Sequence, residues 1–583
     1  MLEMKKYCIE LIYLLKLGLP LTFSYFCMFI PFEVSVAFCG HLGKEELDAV
    51  GLGASYSYMF GLCFCYAAGY AVNGLFAHSY GARQYHMLTQ QLHQAIIVST
   101  LIFMVYVLNF SLLSEYFLLF VAPDAIVARY AAKYLMILIP GILMRLYYHI
   151  LSKFLEAQNI VLPGAIATTV GAIEAIIFHL FFVTFLNLGI VGAGIALSLT
   201  FCTMPIILIV SAFRYKKIRK LNIFSVDSGA LESWFEISKL VTLSLANSFV
   251  VWLSGEIGAF LSGKLGKTEL GAQTVLTHFS GFFYCVPAGL GTACTTRIGQ
   301  FIGEKEEKKA AIAYKLSIFL HGLFGIISAA IYIIFRYQLT SIFSNQPDVI
   351  DLAVYLAPYL ALSDFLTFIY MGDAAVLRAV ECFTFPAVVS SLIFYGLNLP
   401  LSFYMMYFTE YRLEGYWIPT SIGNLIQMII LTTYVGCFDF KKIISVYNRK
   451  YENIHSFEKV GGSQLKDSKS SLPESESENS PLLNDSNNSK KPPKTPNRKE
   501  ENVKGDVLEI DGNLGSKEQA NQVTMRFIIL YRIPAVVTVI LTTVISFALR
   551  YFQSTIFGDN ANNGISNNSS YMLINITSLR NFE

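Results

Sequence analysis

Charge is scarce in this chain. Asp, Glu, Lys and Arg make up only 14% of its 583 residues and nearly cancel, to a formal net charge of +2. Soluble domains carry about 25% charged residues, so one or two water-soluble domains are excluded. With no basic stripe and no acidic excess, the chain has no nucleic-acid face and calls for no acidic partner. Paired cysteines are also missing. The ten cysteines lie singly, many in apolar runs (Cys27, Cys202, Cys285, Cys294), and Cys63-x-Cys65 lacks metal-ligand spacing, so they read as small hydrophobes. No His-Glu-x-x-His or nucleophile motif occurs, and Gly372-Asp373 lacks the Gly-x-Gly-Asp of an intramembrane aspartyl protease. These absences argue against an enzyme and against a bound metal or cofactor. No small-residue cleavage site follows the first apolar run, which is expected to remain as an uncleaved helix behind Lys5 and Lys6.

What the chain does have is apolar length: it is 54% hydrophobic, with a mean hydropathy of +0.51. The fold class is an all-α polytopic membrane protein. Stretches near the roughly 20 residues needed to cross a bilayer fall at 17–39, 48–75, 94–121, 130–155, 162–186 and 190–213, and again at 238–263, 270–297, 311–336, 350–378, 386–408 and 416–438. Lys5 and Lys6 share one face with the basic run 214–220, the 297–309 loop and Lys441-Lys442. The positive-inside rule therefore places the amino terminus in the cytoplasm.

The two sets of six are related. Glu33 stands seven residues before Gly40, Glu256 stands seven before Gly263, and the two glutamates are 223 positions apart (256 − 33). Gly43 meets Gly266, Glu46 meets Glu269 and Leu47 meets Leu270 at the same spacing, as do Pro163 and Pro386, and Gly192 and Gly415; Gly81 answers Gly303 one residue closer. An even number of spans per copy makes this a parallel repeat. The predicted domains are a six-helix lobe over 1–222, a second over 223–440, a disordered cytoplasmic linker over 441–525, a thirteenth transmembrane helix over 526–550 and an extracellular tail over 551–583. The linker is rich in Ser, Asn, Lys, Glu and Pro and cannot bury a core. It contains Glu478-Asn-Ser-Pro-Leu-Leu483, a dileucine-like pattern, while the tail carries glycosylation patterns at Asn567, Asn568 and Asn575.

Carboxylates in hydrocarbon are costly and usually face a cavity, where they serve transport or coupling. Burial disfavours their charged form, bringing them toward a range where a proton can be taken and released. The candidates are Glu33, Glu174, Glu256, Asp364 and Asp373. Glu33 and Glu256 lie about 10 Å inside their helix ends. Trp252 shares a helical face with Glu256, which suits a hydrophobic cation through charge pairing and cation–π attraction. Asp364 and Asp373 fall on opposite sides of an ideal helix, so at most one faces the cavity; an Asp373–Arg378 ion pair is the structural alternative. His278 can carry protons or bond a carbonyl. Tyr25, Tyr58 and Phe282 are candidate cavity aromatics, together with the hydrogen-bonding Asn73, and Glu174 and His179 share a helix without needing to meet.

Several runs together resemble the multidrug and toxic compound extrusion (MATE) transporters, particularly their animal branch, over residues 10–440. They are Phe38-Cys-Gly-His-Leu-Gly43, Ser79-Tyr-Gly81, Ile160-Val-Leu-Pro163, Phe260-Leu-Ser-Gly263, Glu269-Leu-Gly-Ala-Gln273, Val286-Pro-Ala-Gly289, Arg297-Ile-Gly299 and Val376-Leu-Arg378. The resemblance implies two six-helix lobes around a V-shaped cavity, and secondary antiport that expels organic cations or xenobiotics in exchange for protons. Glu256 falls on the family's helix 7 glutamate. The chain departs from the family's acids at Val251 and Thr367, and at Asn73 and His278, where relatives often carry carboxylates. Sodium coupling, uncoupled transport and a lipid-linked sugar flippase on a related fold therefore stand as alternatives. A major facilitator is disfavoured, because Tyr80-Gly-Ala-Arg83 lacks that family's acidic and double-arginine loop pattern. The expected partners are the lipid bilayer, small organic cations and protons, for a monomer in the plasma membrane or, alternatively, an endosomal or vesicular one.

Overall fold

The computed structural model describes residues 2–447 except 122–123, 222, 224–233 and 345. The expected thirteenth helix, tail and dileucine pattern lie outside these residues, as does the expected linker beyond residue 447; its first part, 441–447, is helical, with Ile444 buried.

Twelve long helices follow one another, with no strand among the described residues. They are α1 Leu2–Gly40, α2 Glu45–Gly81, α3 Tyr85–Leu112, α4 Ala125–Glu156, α5 Leu162–Phe185, α6 Gly189–Ala212, α7 Trp234–Leu265, α8 Lys267–Gly303, α9 Glu307–Ile334, α10 Pro347–Ala379, α11 Thr384–Phe408 and α12 Glu414–Gly436. Eleven are long and apolar enough to cross a membrane; the exception is α8. Its carboxy-terminal half, from Cys285 to Gly303, is rich in Gly and Thr and is buried almost throughout. A helix surrounded by protein needs no lipid-compatible surface. Elsewhere the outer faces do carry one, for example Leu19 and Phe23 on α1 and Ile173, Ile176 and Ile177 on α5.

The expected start of the first helix, residue 17, is late: α1 begins at Leu2. Hydropathy missed its first turns because they contain Glu10, which accepts two bonds from Arg297 of α8, Nε to Oε1 and Nη2 to Oε2, each 2.8 Å. A bidentate charged pair is what lets that turn pack against protein. The third span is displaced as well, to Tyr85–Leu112, with a separate short helix over Ser114–Val121.

The repeat is visible in how helices end. Arg83 and Lys305 adopt left-handed φ angles of 59° and 64°, as do Asn159 and Glu381 at 63° and 57°. Each closes its helix with the same pair of backbone bonds, such as Arg83 N to Tyr80 O (3.0 Å) and Gln84 N to Ser79 O (2.9 Å) after α2, matched by Lys305 N to Ile302 O (3.1 Å) and Glu306 N to Phe301 O (2.9 Å) after α8. These are left-handed terminations that leave few carbonyls unpaired.

Where α2 and α8 meet, the approach is reciprocal: a Cβ on Gly81 would overlap the Gln300 carbonyl, and one on Gly303 would overlap the His78 carbonyl. Gly81→Val should therefore separate the two helix ends and abolish recovery of a monodisperse protein, whereas Gly436→Val, which meets nothing within 4 Å, should leave the elution profile intact. Size-exclusion chromatography of both variants checks this.

The largest core gathers side chains from Met28 to Val241 with Phe383, and two others gather Ala272 to Trp417 and Ile298 to Ile444. The largest core is mainly of the first half, joined by Ile237, Leu240 and Val241 of α7 and by Phe383, while the other two lie in the second half. Between the halves, α8 packs along α1 and α2, and α7 packs along α2.

Candidate functional site

Those interhalf helices bring acidic and aromatic side chains of the two halves together. Glu33 of α1 meets His278 of α8, with Oε1 and Nδ1 3.8 Å apart and both side chains more than a third exposed. Glu256 of α7 is exposed, and its partner is the Ser55 hydroxyl of α2. Tyr58 lies one turn beyond Ser55, inside a π-helical turn over Ser57–Leu62. Such a turn rotates the side chains that follow it relative to a regular helix. The Tyr58 ring sits 4.7 Å from Phe32 and 6.3 Å from Phe29 of α1, and 6.0 Å from Trp252 of α7. Phe282 stacks obliquely on Phe26 at 4.7 Å. The two repeat-related glutamates thus border the same aromatic stretch of α2.

A cavity of about 80 Å³ opens between α2 of the first half and α7, α8, α10, α11 and α12 of the second. Trp252 lines it, with Tyr66, Tyr70 and Tyr284, whereas Tyr25, Tyr58, Phe282 and Asn73 do not. Tyr25 is buried beside it, its hydroxyl 3.2 Å from Thr292 Oγ1 and 3.4 Å from Lys153 Nζ. Asn73 accepts from Thr296 of α8 at 3.2 Å, a contact between the halves.

Neither aspartate of α10 lines the cavity. Asp364 is buried and accepts from Ser280 of α8 (2.9 Å) and Tyr332 of α9 (2.8 Å). Asp373 is fully buried, accepting from Thr432 of α12 at 2.5 Å and from Tyr314 of α9. They do face different neighbours, and no Asp373–Arg378 ion pair forms among the described residues. Glu174 accepts from Thr203 of α6 at 2.5 Å, while His179 bonds the Ala175 carbonyl at 2.6 Å, so the two do not meet.

Sequence reasoning missed two of the three buried cations, Lys153 and Arg145, and gave Arg378 only as a possible partner of Asp373. Lys153 of α4 donates to Glu156 at 2.8 Å, and Ser152 donates to the same carboxylate at 2.6 Å. Arg145 is 1% exposed, bonded to Met204 Sδ (3.1 Å) and Met28 O (3.3 Å) and lying 4.8 Å from the Phe201 ring centroid. Arg378, 8% exposed, lies 4.9 Å from the Tyr70 ring centroid. The available signal was their position, since charges so far along apolar helices demand partners just as acids do. Among the described residues no group of three or more His, Cys, Asp or Glu could hold a metal ion.

The arrangement of repeated helices meeting between two halves has relatives. The MatE family model matches residues 20–181 and again 244–404, once in each half. Human multidrug and toxin extrusion protein 1 is 26% identical over 434 residues, covering 74% of this chain and 76% of the relative. Mouse multidrug and toxin extrusion protein 2 is 28% identical over 430 residues, covering 72% and 73%. Among solved structures, the eukaryotic MATE transporter AtDTX14 superposes with a TM-score of 0.72 at 22% identity, over 76% of this chain and 99% of that one. The Vibrio cholerae transporter VcmN in its bent form does so with a TM-score of 0.64 at 18% identity, over 76% and 99%. With both halves matched by the family model and the fold shared with its solved members, this integral membrane protein belongs to the MatE family of transporters.

Proposed function

We propose that the chain exports amphipathic organic cations in exchange for protons, by exposing the cleft between its halves to each side of the membrane in turn. The observation that carries this reading is the convergence of Glu33 and Glu256 on one aromatic stretch of α2, around Ser55 and Tyr58. A cation with an apolar body needs negative charge beside π faces, and this cleft offers both. Names of relatives as multidrug and toxin extrusion proteins support a xenobiotic cargo.

Protons have two places to act. At the cleft, Glu33 can pair with His278 or with a cation, so substrate and His278 compete for one carboxylate. Inside the second half, Asp364 and Asp373 have hydroxyl partners and no cationic one among the described residues. A buried carboxyl so placed costs least when it holds a proton. Protonation on one side lowers the cost of an empty cation site, and release on the other restores the charge that attracts the next cation. The basic loops favour a cytoplasmic amino terminus, and we take the working unit as a monomer in the plasma membrane.

Reconstituted full-length protein tests this. Efflux of a fluorescent organic cation should follow an imposed pH gradient and ignore a sodium gradient. Efflux driven by sodium alone would replace the coupling ion, and efflux indifferent to both would favour an uncoupled flippase.

A further inference from the structure

Where the basic run 214–220 leaves the first half, a second cavity of about 200 Å³ lies between the start of α5 and the end of α6, lined by Leu162, Pro163, Ile166, Ser211, Arg214 and Tyr215. Its polar lining is all of one kind: a guanidinium and two hydroxyls, with no Asp or Glu. Arg214 is exposed, and its side chain has no carboxylate or hydrogen-bond partner among the described residues. Lys217 close by differs, since it donates to the Tyr80 hydroxyl. Ser211 is only 9% exposed, and its hydroxyl likewise has no partner among the described residues. A largely buried hydroxyl without a bond carries a cost that an acceptor in the cavity would relieve. The start of α5 has no side-chain cap either, so the free N–H groups of its first turn add to a positive field.

The repeat supplies a comparison. Moved on by the 223 positions that relate Pro163 to Pro386, Leu162 meets Phe385, Ser211 meets Tyr434, Arg214 meets Cys437 and Tyr215 meets Phe438. In the second half those positions are packed with rings: Phe385 stacks on Tyr434 with centroids 3.9 Å apart, and Tyr434 meets Phe438 edge-on at 5.2 Å. One copy of the corner is filled by aromatics, and the other is left open and lined with donors. The surface beside the open copy suits lipid. Leu162, Ile173 and Ile177 fall within roughly 60° of one another around α5, and all three are exposed, as is Val210 one turn before Arg214 on α6. The cavity therefore stands where an apolar outer face gives way to basic residues, at the level of lipid head groups.

We infer that this corner of the first half binds the phosphate of an anionic phospholipid. The Arg214 guanidinium takes two phosphate oxygens in parallel, the Ser211 and Tyr215 hydroxyls donate to the remaining ones, and the acyl chains lie along the outer faces of α5 and α6. A head group that leaves its phosphate uncovered, as in phosphatidic acid, fits better than phosphatidylcholine, because the lining offers no carboxylate to a choline ammonium. The face that carries the basic loops also meets the leaflet in which anionic lipids are found. None of the lining residues is shared with the cavity between the halves, so the site stands apart from the export reading.

The test is native mass spectrometry of the full-length protein released from detergent micelles that hold dioleoyl phosphatidic acid and dioleoyl phosphatidylcholine at equal concentration. Phosphatidic acid should be retained over the choline lipid by at least roughly tenfold, as expected for one charge-assisted bidentate contact. Arg214→Gln, a change at an exposed side chain, should erase that preference, and Ser211→Ala should lower it severalfold. Lys216→Gln, in the same basic run but outside the lining, should keep it. Equal retention of the two lipids by the unaltered protein, or an unchanged preference in Arg214→Gln or Ser211→Ala, overturns the inference. So does an equal loss in Lys216→Gln, which would mark diffuse attraction to the basic run. Displacement of phosphatidic acid by millimolar inorganic phosphate would mark a free-phosphate site and overturn the lipid assignment. If Arg214→Gln does not fold, the lipid preference of the unaltered protein and of Ser211→Ala decides.

Discussion

Vesicles carrying Glu256→Gln should lose gradient-driven cation uptake by roughly 100-fold, the loss of about 2–3 kcal/mol that follows when one member of a desolvated charge pair is removed. The residue is suited to produce so large an effect because little in the protein depends on it. Its partner is the Ser55 hydroxyl and its side chain is exposed, so the glutamine variant should reach the membrane and elute as the parent does. A variant that is inserted, monodisperse and still transports at parental rates would remove Glu256 from the mechanism. Glu33 differs: with His278 3.8 Å away, it already has a counterpart in the apo protein, so its loss also disturbs a contact between the halves.

The second large effect is on stability. Glu156→Gln should cost about 3–5 kcal/mol, the penalty for stranding a buried ion. Lys153, 3% exposed, would keep its charge beside Tyr25 and Tyr70, whose rings lie 5.5 and 6.0 Å from its Nζ. Arg378 also lies against Tyr70, 4.9 Å from the ring centroid. Two uncompensated cations would then share one tyrosine. That penalty is a large part of the 5–15 kcal/mol that holds a typical domain together, so little folded protein is expected. Adding Lys153→Met should restore it, because removing both charges eliminates the stranded ion. Fluorescence-detected thermal unfolding of the single and double variants reads the difference, and equal melting of Glu156→Gln and the parent would show that the pair is energetically idle.

Much of the architecture was legible in the sequence. Apolar runs of bilayer length marked the helices, and Gly81 with Gly303 marked the repeat; that these glycines let α2 and α8 touch is seen only in the structure, where a Cβ on either would overlap the other helix's backbone. The spans at either end of the first half were less legible. Hydropathy averages a window, so it drops a turn that carries Glu10 even when Arg297 has neutralised it from another helix. The run at 270–297 counted as a span, although α8 is not apolar enough to cross a membrane on its own composition and its buried half is rich in Gly and Thr.

For the site, the sequence by itself picked out Glu33, Glu174, Glu256, Asp364 and Asp373 within apolar helices, though not Glu10 or Glu156, and made Glu33 and Glu256 copies of one position. Both facts depend only on residue order, and order is what helical period and internal repetition read. Only the tertiary structure decided what each acid meets: His278 for Glu33, Ser55 for Glu256, hydroxyls for Asp364 and Asp373. It also left Arg378 without a carboxylate while Glu156 has a lysine. Partners brought together from helices hundreds of residues apart leave no trace in local pattern, and whether a buried charge is satisfied is a property of those partners.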